Sequence, residues 1–525
     1  MGDIDIDTKN ESPRKEKKMF IGIVWNCAAE LKLLLTALLF LTSLLTIFQF
    51  LPSQLSFSSF CISPEKVGLT NNIISTNSLV GIIPPENSKN NATPFNLSKN
   101  PLNITNILAD PSPPDYKDEK LPTGVIKRRF NTYGAAAYNF ILMSAYRGGL
   151  NTFAINGLSS KPLHVFGKPS YTCEWVPYGK SGEPIKVTGE KFLPDWGYGR
   201  VYTVVIINCT FPTPVYKTGG KLLLHAAANG GGDTEFNVTD TFVALTETPN
   251  SLNPKIFTDP PKYDYLYCGS SLYGNLSPQR VREWLAYHIR MFGVKSHFVI
   301  HDAGGVHSEV MEVLKPWIEK GYVTLQDIRD EERFDGYYHN QFLIVNDCLH
   351  RYKFMAKWMF FFDVDEFIFV PKKSTLKSVM DSFSDFSQFT IEQMPMSNKL
   401  CLTEDRGKSY KKWGFEKLVY KDSKKGIRRD RKYVVRPRDV FATGVHMSQN
   451  MVGKTTHKTE GKIMYYHYHG TISERREPCR QLINATQLNF ERTPYVLDTT
   501  MRDAAGAVKR FEVKMIGSTL QRTRQ

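Results

Sequence analysis

Hydrophobic and polar positions along the chain fall into four textures. Residues 33–51, "LLLTALLFLTSLLTIFQFL", are apolar without a charge, a run about long enough for one membrane-spanning helix. A cleaved signal peptide would have a shorter apolar core and a small-residue cleavage site, which the flank "FQFLPSQLSF" lacks, so the pattern predicts an uncleaved anchor. Residues 52–122 are rich in Asn, Ser and Pro, as in "PPENSKNNATPFNLSKNPLNIT", and are too polar to bury a core; they read as a flexible stem. From 123 to 250, short alternating segments such as "RVYTVVIINCTF" and "DTFVALTET" are parted by Gly/Pro turns, which predicts a small antiparallel β-sandwich. Residues 262–500 alternate strand and helix. "YDYLYCGS", "SHFVIHDAGG", "YVTLQDI" and "WMFFFDVDEFIFV" read as strands, and "SPQRVREWLAYHIRMFG", "SEVMEVLKPWIEKG" and "YYHNQFLIVNDCLHRYKFM" as helices, the first opened by Ser277 and Pro278. That order predicts a parallel, Rossmann-like sheet, with 501–525 left as a C-terminal tail.

Charge places these parts. Lys9, Arg14, Lys15, Lys17, Lys18 and Lys32 precede the apolar run, and the first dozen residues after it carry no Lys or Arg. The positive-inside rule then puts 1–32 in the cytosol and everything beyond 51 in the lumen or outside, a single-pass type II arrangement. N-x-S/T acceptors at Asn91, Asn96, Asn103, Asn208, Asn237, Asn275 and Asn484 all follow the span. Seven of the 8 cysteines also lie on that oxidising side. Grouped by domain they pair as Cys173 with Cys209, Cys268 with Cys348, and Cys401 with Cys479; Cys61 is left as a free thiol or a bridge in a homodimer. The net charge of +15 favours anionic partners such as lipid headgroups, acidic polysaccharide or nucleotide phosphates. Neither zinc-finger spacing nor an RNA-recognition signature occurs, and nucleic acid is excluded on that ground.

The chemistry concentrates in "FFFDVDEFIF". Carboxylates inside so apolar a run are costly unless something cationic meets them. On a strand Asp363 and Asp365 face one side, with Glu366 on the other in a structural role. Two neighbouring carboxylates call for a shared proton or a hard divalent ion, Mg²⁺ or Mn²⁺, which can also hold a diphosphate. An EF-hand would need glycine where Ile368 stands; an ordinary acidic turn is the plainer alternative. Ligands of parallel sheets bind at the carboxyl ends of strands, where "HDAGG" and "DVDE" both fall. Further ligands are sought among His446 in "ATGVHMS" and His467 and His469 in "MYYHYHG", each of which could equally be a core histidine packed among aromatics.

Four ordered blocks carry a resemblance: "EWLAYHIRMFGVKSHFVIHDAGG", "NQFLIVNDCLHRYKFMAKWMFFFDVDEFIFV", "RRDRKYVVRPRDVFATGVHMS" and "YYHYHG". Over residues 262–490 the chain resembles glycosyltransferase family 92, and within it the plant Golgi enzymes that extend the β-1,4-galactan side chains of pectin. The resemblance implies a GT-A fold, and the β-rich region before it is similar to the carbohydrate-binding module of those enzymes. It implies UDP-galactose as donor, β-1,4-galactan as acceptor and Mn²⁺ (or Mg²⁺) as cofactor. Asp363 and Asp365 match the family's metal-binding D-x-D, with His446 or His467 completing the site. Asp302 falls where the uracil or ribose is contacted, and Lys432, Arg436, Arg438 and His469 where the nucleotide phosphates are. Inversion at the anomeric carbon needs a carboxylate base, for which Glu392 and Asp405 are the first candidates. Trp196 and Tyr198 in a turn, ahead of the core residue Trp175, are the aromatics expected to stack on sugar.

Two other classes compete. A polysaccharide-binding protein with an inactive transferase fold would not need the intact D-x-D and histidine blocks. A glycoside hydrolase would use two carboxylates with neither metal nor nucleotide.

Overall fold

The computed structural model describes residues 119–523 except 121, 123–124, 128–138, 161–168, 180–181, 195–201, 230–236, 332–333, 335–336, 424–430, 474 and 488. The expected anchor, the expected stem as far as residue 118, Cys61, Trp196 and Tyr198 lie outside the described residues. Among the described residues no helix is long and apolar enough to cross a membrane.

In the β-rich region period-two alternation produces two four-stranded antiparallel sheets. One has the order β1 (Phe140–Arg147), β2 (Thr152–Ser160), β6 (Tyr202–Thr210), β5 (Glu190–Phe192). The other has β8 (Asn237–Glu247), β7 (Gly220–Asn229), β3 (Ser170–Pro177), β4 (Ile185–Thr188). Phe140, Leu142, Phe153 and Ile155 from the first sheet share a core with Trp175, Leu222 and Leu224 from the second. A disulfide between Cys173 and Cys209 joins the sheets. The intervening residues Ile141, Met143, Ala154 and Leu158 face away from that core and enter another, so the first sheet is buried on both sides.

Four parallel strands centre the second region. β9 (Tyr263–Leu272), β10 (Ser296–Asp302), β11 (Val323–Asp327) and β12 (Ala356–Phe361) lie in the order β11-β10-β9-β12. They are connected by α1 (Pro278–Phe292), α2 (Ser308–Glu319) and α3 (Gln341–Tyr352). Ser277 caps α1 by accepting the Arg280 N–H at 3.3 Å, with Pro278 in the first turn. Disulfides tie Cys268 of β9 to Cys348 of α3, and Cys401 to Cys479, the pairings grouped from the sequence.

Three boundaries differ from the sequence reading. Val125–Lys127, assigned to the head of the β-rich region, pairs in parallel with β11 in the mixed sheet, and Glu119–Lys120, assigned to the end of the stem, pairs antiparallel with it at that sheet's edge. The supposed tail forms α4 (Thr500–Ile516), because Met501, Ala505 and Val508 make an apolar stripe at helical spacing that joins the main core. Its Glu512 takes a bidentate pair from Arg282 of α1, at 2.7 and 2.6 Å. The third concerns "FFFDVDEFIF", which is not one strand. β12 stops at Phe361, the chain turns, and β13 (Glu366–Phe369) pairs elsewhere.

Beyond β12 the sheet curls on through strands β15 (Lys432–Val435), β14 (Gln388–Pro395) and β16 (Met464–His467) to β13 at its edge. α1 pins that edge strand from one face. Trp284 Nε1 donates to the Glu366 carbonyl and the Tyr287 hydroxyl to the Ile368 carbonyl, both at 2.8 Å, while His288 Nε2 accepts the Ile368 N–H at 3.2 Å. Spacing of three and four residues puts all three side chains on one helical face.

α3 lies between the two regions. Its Phe342, Val345 and Leu349 meet Ile141, Met143 and Leu158 of the first sheet. Asp347 of α3 accepts from Ser144 Oγ at 2.7 Å and from the Tyr146 hydroxyl at 2.6 Å, and Asn156 Nδ2 donates to the Leu343 carbonyl at 3.1 Å.

Three histidines are buried as neutral bases. His288 donates from Nδ1 to the Trp284 carbonyl at 2.8 Å; His297 lies between the Gly321 carbonyl and Thr324 Oγ1; His350 donates from Nε2 to the Phe441 carbonyl at 2.9 Å. Burial lowers their pKa values to about 3, about 4 and about 3 respectively.

Candidate active site

The turn between β12 and β13 gathers the carboxylates. Glu366 Oε2 accepts the Asp363 N–H at 2.7 Å, folding the turn back on itself. Antiparallel pairing sets Glu366 opposite His467, and the Tyr468 N–H donates to the Asp365 carbonyl at 3.0 Å. The side chain of Asp365 is held by the Gly470 N–H at 2.9 Å. His467 Nε2 stands 3.5 Å from Asp365 Oδ1. Ligand atoms of Asp365, His467 and His469 all lie within 4.8 Å of one another, the first two half-buried and the third exposed.

One carboxylate oxygen and two imidazole nitrogens fit a divalent transition ion. Mn²⁺ suits that mixed set better than Mg²⁺, which keeps to oxygen ligands and water. The rest of the donor set is prepared around it. Gln393 of β14 meets His467 Nδ1 through its amide, which can donate or accept and so serves either tautomer.

The other two carboxylates find their cation in the chain itself. Lys432 Nζ is 2.7 Å from Asp363 Oδ2 and 3.7 Å from Glu366 Oε2. Burial would raise the Asp363 pKa, but the Lys432 ammonium outweighs it and holds the group below its usual value. Gln341, the first residue of α3, adds a bond to Asp363 Oδ1 at 3.2 Å. Burial carries Glu366 up to about 8 against the pull of Lys432, so at neutral pH it keeps its proton. Burial opposes the charge on Lys432, yet Asp363 and Glu366 raise its pKa. The His467 pKa is lowered by burial and raised by Asp365, and the rise prevails. Lys432→Met leaves the Asp363 charge without its partner and is expected to destabilise the fold by roughly 3 kcal/mol. Urea unfolding measures this, and a loss under about 0.5 kcal/mol would contradict the pairing.

Several sequence expectations move. Glu366 turns inward to this cluster instead of facing away, because the strand breaks before it. His446 is exposed and outside the ligand group, its Nδ1 3.3 Å from the Arg431 carbonyl, and His469 stands in the group instead. Arg436 and Arg438 are led away because β15 runs antiparallel to β12, so each residue after Lys432 lies farther from Asp363. Arg436 sits over the Trp358 ring at 5.1 Å, and Arg438 donates to the Phe257 and Asp259 carbonyls. Asp302 ends β10 at the same sheet edge as the cluster, but its Oδ1 accepts from the Gly304 and Val306 N–H groups at 2.8 and 3.0 Å, capping the loop.

Neither expected base faces the group. Glu392 pairs with Arg431 at 3.3 Å on the opposite side of β14 from Gln393, its pKa raised by burial and by Glu460. Asp405 is buried between Lys412 and Arg502, the latter at 2.5 Å, and holds α4 in place. Gln341 and Gln393 were missed by sequence reasoning because a neutral amide leaves no charge pattern. A glycine directly after His-Tyr-His was the one available signal for the Gly470 contact.

The profile of glycosyltransferase family 92 matches residues 263–503. The chain is 56% identical over 529 residues to galactan beta-1,4-galactosyltransferase GALS3 of Arabidopsis thaliana, covering 98% of this chain and 99% of that one. It is 58% identical over 524 residues to galactan beta-1,4-galactosyltransferase GALS2 of the same plant, covering 97% and 98%. A more distant relative is beta-1,4-galactosyltransferase galt-1 of Caenorhabditis elegans, 29% identical over 242 residues that span 44% of this chain and 54% of that one.

Proposed function

The chain belongs to glycosyltransferase family 92, and from that premise we propose that it transfers galactose from UDP-galactose onto β-1,4-galactan, lengthening pectin side chains. The observation that carries the reading is the convergence of Asp365, His467 and His469 at the carboxyl edge of a parallel sheet, beside an Asp363–Lys432 pair. Similarity to galactan galactosyltransferases over nearly the whole chain supports galactose as the sugar transferred and galactan as its acceptor.

In this reading the mixed sheet is a GT-A domain and the two-sheet region a β-sandwich that binds carbohydrate. Residues 33–51 anchor the chain in the Golgi membrane, 52–118 are a luminal stem, and Cys61 is the candidate link in a homodimer. Asp365, His467 and His469 would hold Mn²⁺ (or Mg²⁺), which when bound neutralises the diphosphate of the donor and eases departure of UDP. Lys432 keeps Asp363 ionised and fixed. Gln393 orients the His467 ring, and the Gly470 N–H aims the Asp365 carboxylate. Two of the three proposed ligands, Asp365 and His467, are thus each held by a second contact, which limits the reorganisation left at the moment of transfer.

Full-length protein in detergent, given UDP-galactose, Mn²⁺ and labelled β-1,4-galacto-oligosaccharide, is expected to yield a ladder of longer products. EDTA is expected to abolish the ladder and added Mn²⁺ to restore it. An unchanged acceptor across several sugar donors would overturn the reading; a ladder that persists in EDTA would overturn its metal.

A further inference from the structure

Beside the cluster stand aromatic side chains that the reading above leaves without work. Tyr273 directly follows β9 and is 44% exposed; Tyr338 is 64% exposed. The ring of Tyr273 lies flat on His339, centroids 3.6 Å apart at 17°. Burial raises the Tyr273 pKa, and Asp363, Asp365 and Tyr338 add to the rise, so Tyr273 stands between the carboxylates and Tyr338; Tyr338 is itself three residues before Gln341, which is bonded to Asp363.

The backbone under them is unusual. Tyr338, His339 and Asn340 have φ of 47°, 52° and 56°, three successive residues in the left-handed region. Asn and His are the more tolerant of that region; bulky Tyr enters it at a cost on the order of 1 kcal/mol or more. The turn is held by its surroundings. Ser271 Oγ donates to the His339 carbonyl and Asn340 Nδ2 to the Glu331 carbonyl, both at 2.7 Å, and the next residue, Gln341, is bonded to Asp363. Strain of this kind persists where the chain must present a side chain that a relaxed turn would not.

We propose that Tyr338 is an acceptor-binding residue, its ring stacking on a galactose unit of the acceptor chain next to the transfer site. The proposal rests on the transferase reading and adds a subsite to it. A galactopyranose carries the C–H groups of C3, C4 and C5 on one face, because its axial O4 points to the other. That apolar face matches a flat aromatic ring. A neutral polymer carries no charge to be drawn to Lys432 or a metal, so an aromatic ring suits it, whereas the anionic nucleotide belongs with the charges. The exposure of Tyr338 argues the same way: a donor is enclosed when bound, while a chain longer than the site must run out over an open rim.

Steady-state kinetics of Tyr338→Ala and Tyr338→Phe test this with β-1,4-galactotetraose as acceptor. Tyr338→Ala is expected to raise the acceptor KM about tenfold, with the UDP-galactose KM and the acceptor-free release of UDP within about twofold of wild type. Tyr338→Phe is expected to behave as wild type, since stacking needs the ring and not the hydroxyl. Hydrogen exchange of the full chain provides a readout independent of turnover: the tetraose is expected to protect amides of 338–345 in wild type and not in Tyr338→Ala. An unchanged acceptor KM with unchanged protection overturns the proposal, as does a parallel rise in the donor KM, which would assign the ring to the nucleotide. Protection at 338–345 in a wild-type protein that transfers no galactose would uphold the subsite and remove the transferase reading.

Discussion

Asp365→Ala is expected to lower kcat/KM for galactose transfer by about 10³-fold or more, equivalent to roughly 4 kcal/mol of transition-state stabilisation, while leaving thermal stability near wild type. Asp365 is the single carboxylate in the Asp-His-His group, so its loss leaves two imidazoles that hold a divalent ion weakly. Its side chain is bonded to one backbone N–H at the edge of the site and carries none of the core. Asp363→Asn makes the contrast. It is expected to cost stability as well as activity, because Lys432 then lies buried beside a protonated Glu366 with no anion at 2.7 Å. Measuring kcat/KM and the melting temperature of both variants separates the roles. Should Asp365→Ala keep activity within about tenfold of wild type, Asp365 is not a ligand.

Acid is expected to unfold the metal-free protein steeply. His288, His297 and His350 titrate near 6.5 when unfolded but near 3 to 4 when folded. Between those values the unfolded chain binds protons that the native one refuses, so this contribution is intact above pH 6.5 and is lost as pH falls. Glu366 works the other way. Its folded pKa of about 8 lies above its ordinary 4.5, so its contribution is complete below 4.5 and lost as pH rises toward 8. Three groups against one leave a net of about two protons, or about 3 kcal/mol of stability lost per pH unit between pH 6 and 5. Urea midpoints at several pH values give the slope. His297→Gln, which keeps a side chain able to bond the Gly321 carbonyl, is expected to reduce it by about half. A flat profile from pH 7 to 5 would mean these imidazoles are not neutral and buried.

Local pattern carried much of the fold. The alternation of strand and helix after residue 262, the Ser277–Pro278 cap and the grouping of cysteines all depend on neighbours in sequence or within one domain, and each is present in the structure. What escaped depends on distant pairing. Aromatics flank the Asp363–Glu366 turn on both sides, so its two strands read as one. The break follows from β16 pairing with β13 and from Trp284, Tyr287 and His288 gripping that strand's backbone. The same pairing brings His467 and His469 to Asp365 and leaves His446 out, which spacing alone does not distinguish. The direction of β15 decided that Lys432 reaches the site and that Arg436 and Arg438 do not. Asp405 resembled a base until Arg502, nearly a hundred residues on, appeared as its partner.

The position of α3 bears on how such a chain can be cut or recombined. Its first residue touches Asp363, while its body is covered by the first sheet of the β-rich region. Severing the chain between 247 and 263 would lay bare Phe342, Val345 and Leu349 and strip Asp347 of the hydroxyls of Ser144 and Tyr146. The β-rich region is therefore a wall of the catalytic half and not a cassette that can be exchanged between enzymes. A chimera joined at that seam is a core mutant in several places at once, and loss of activity in it says nothing about sugar binding.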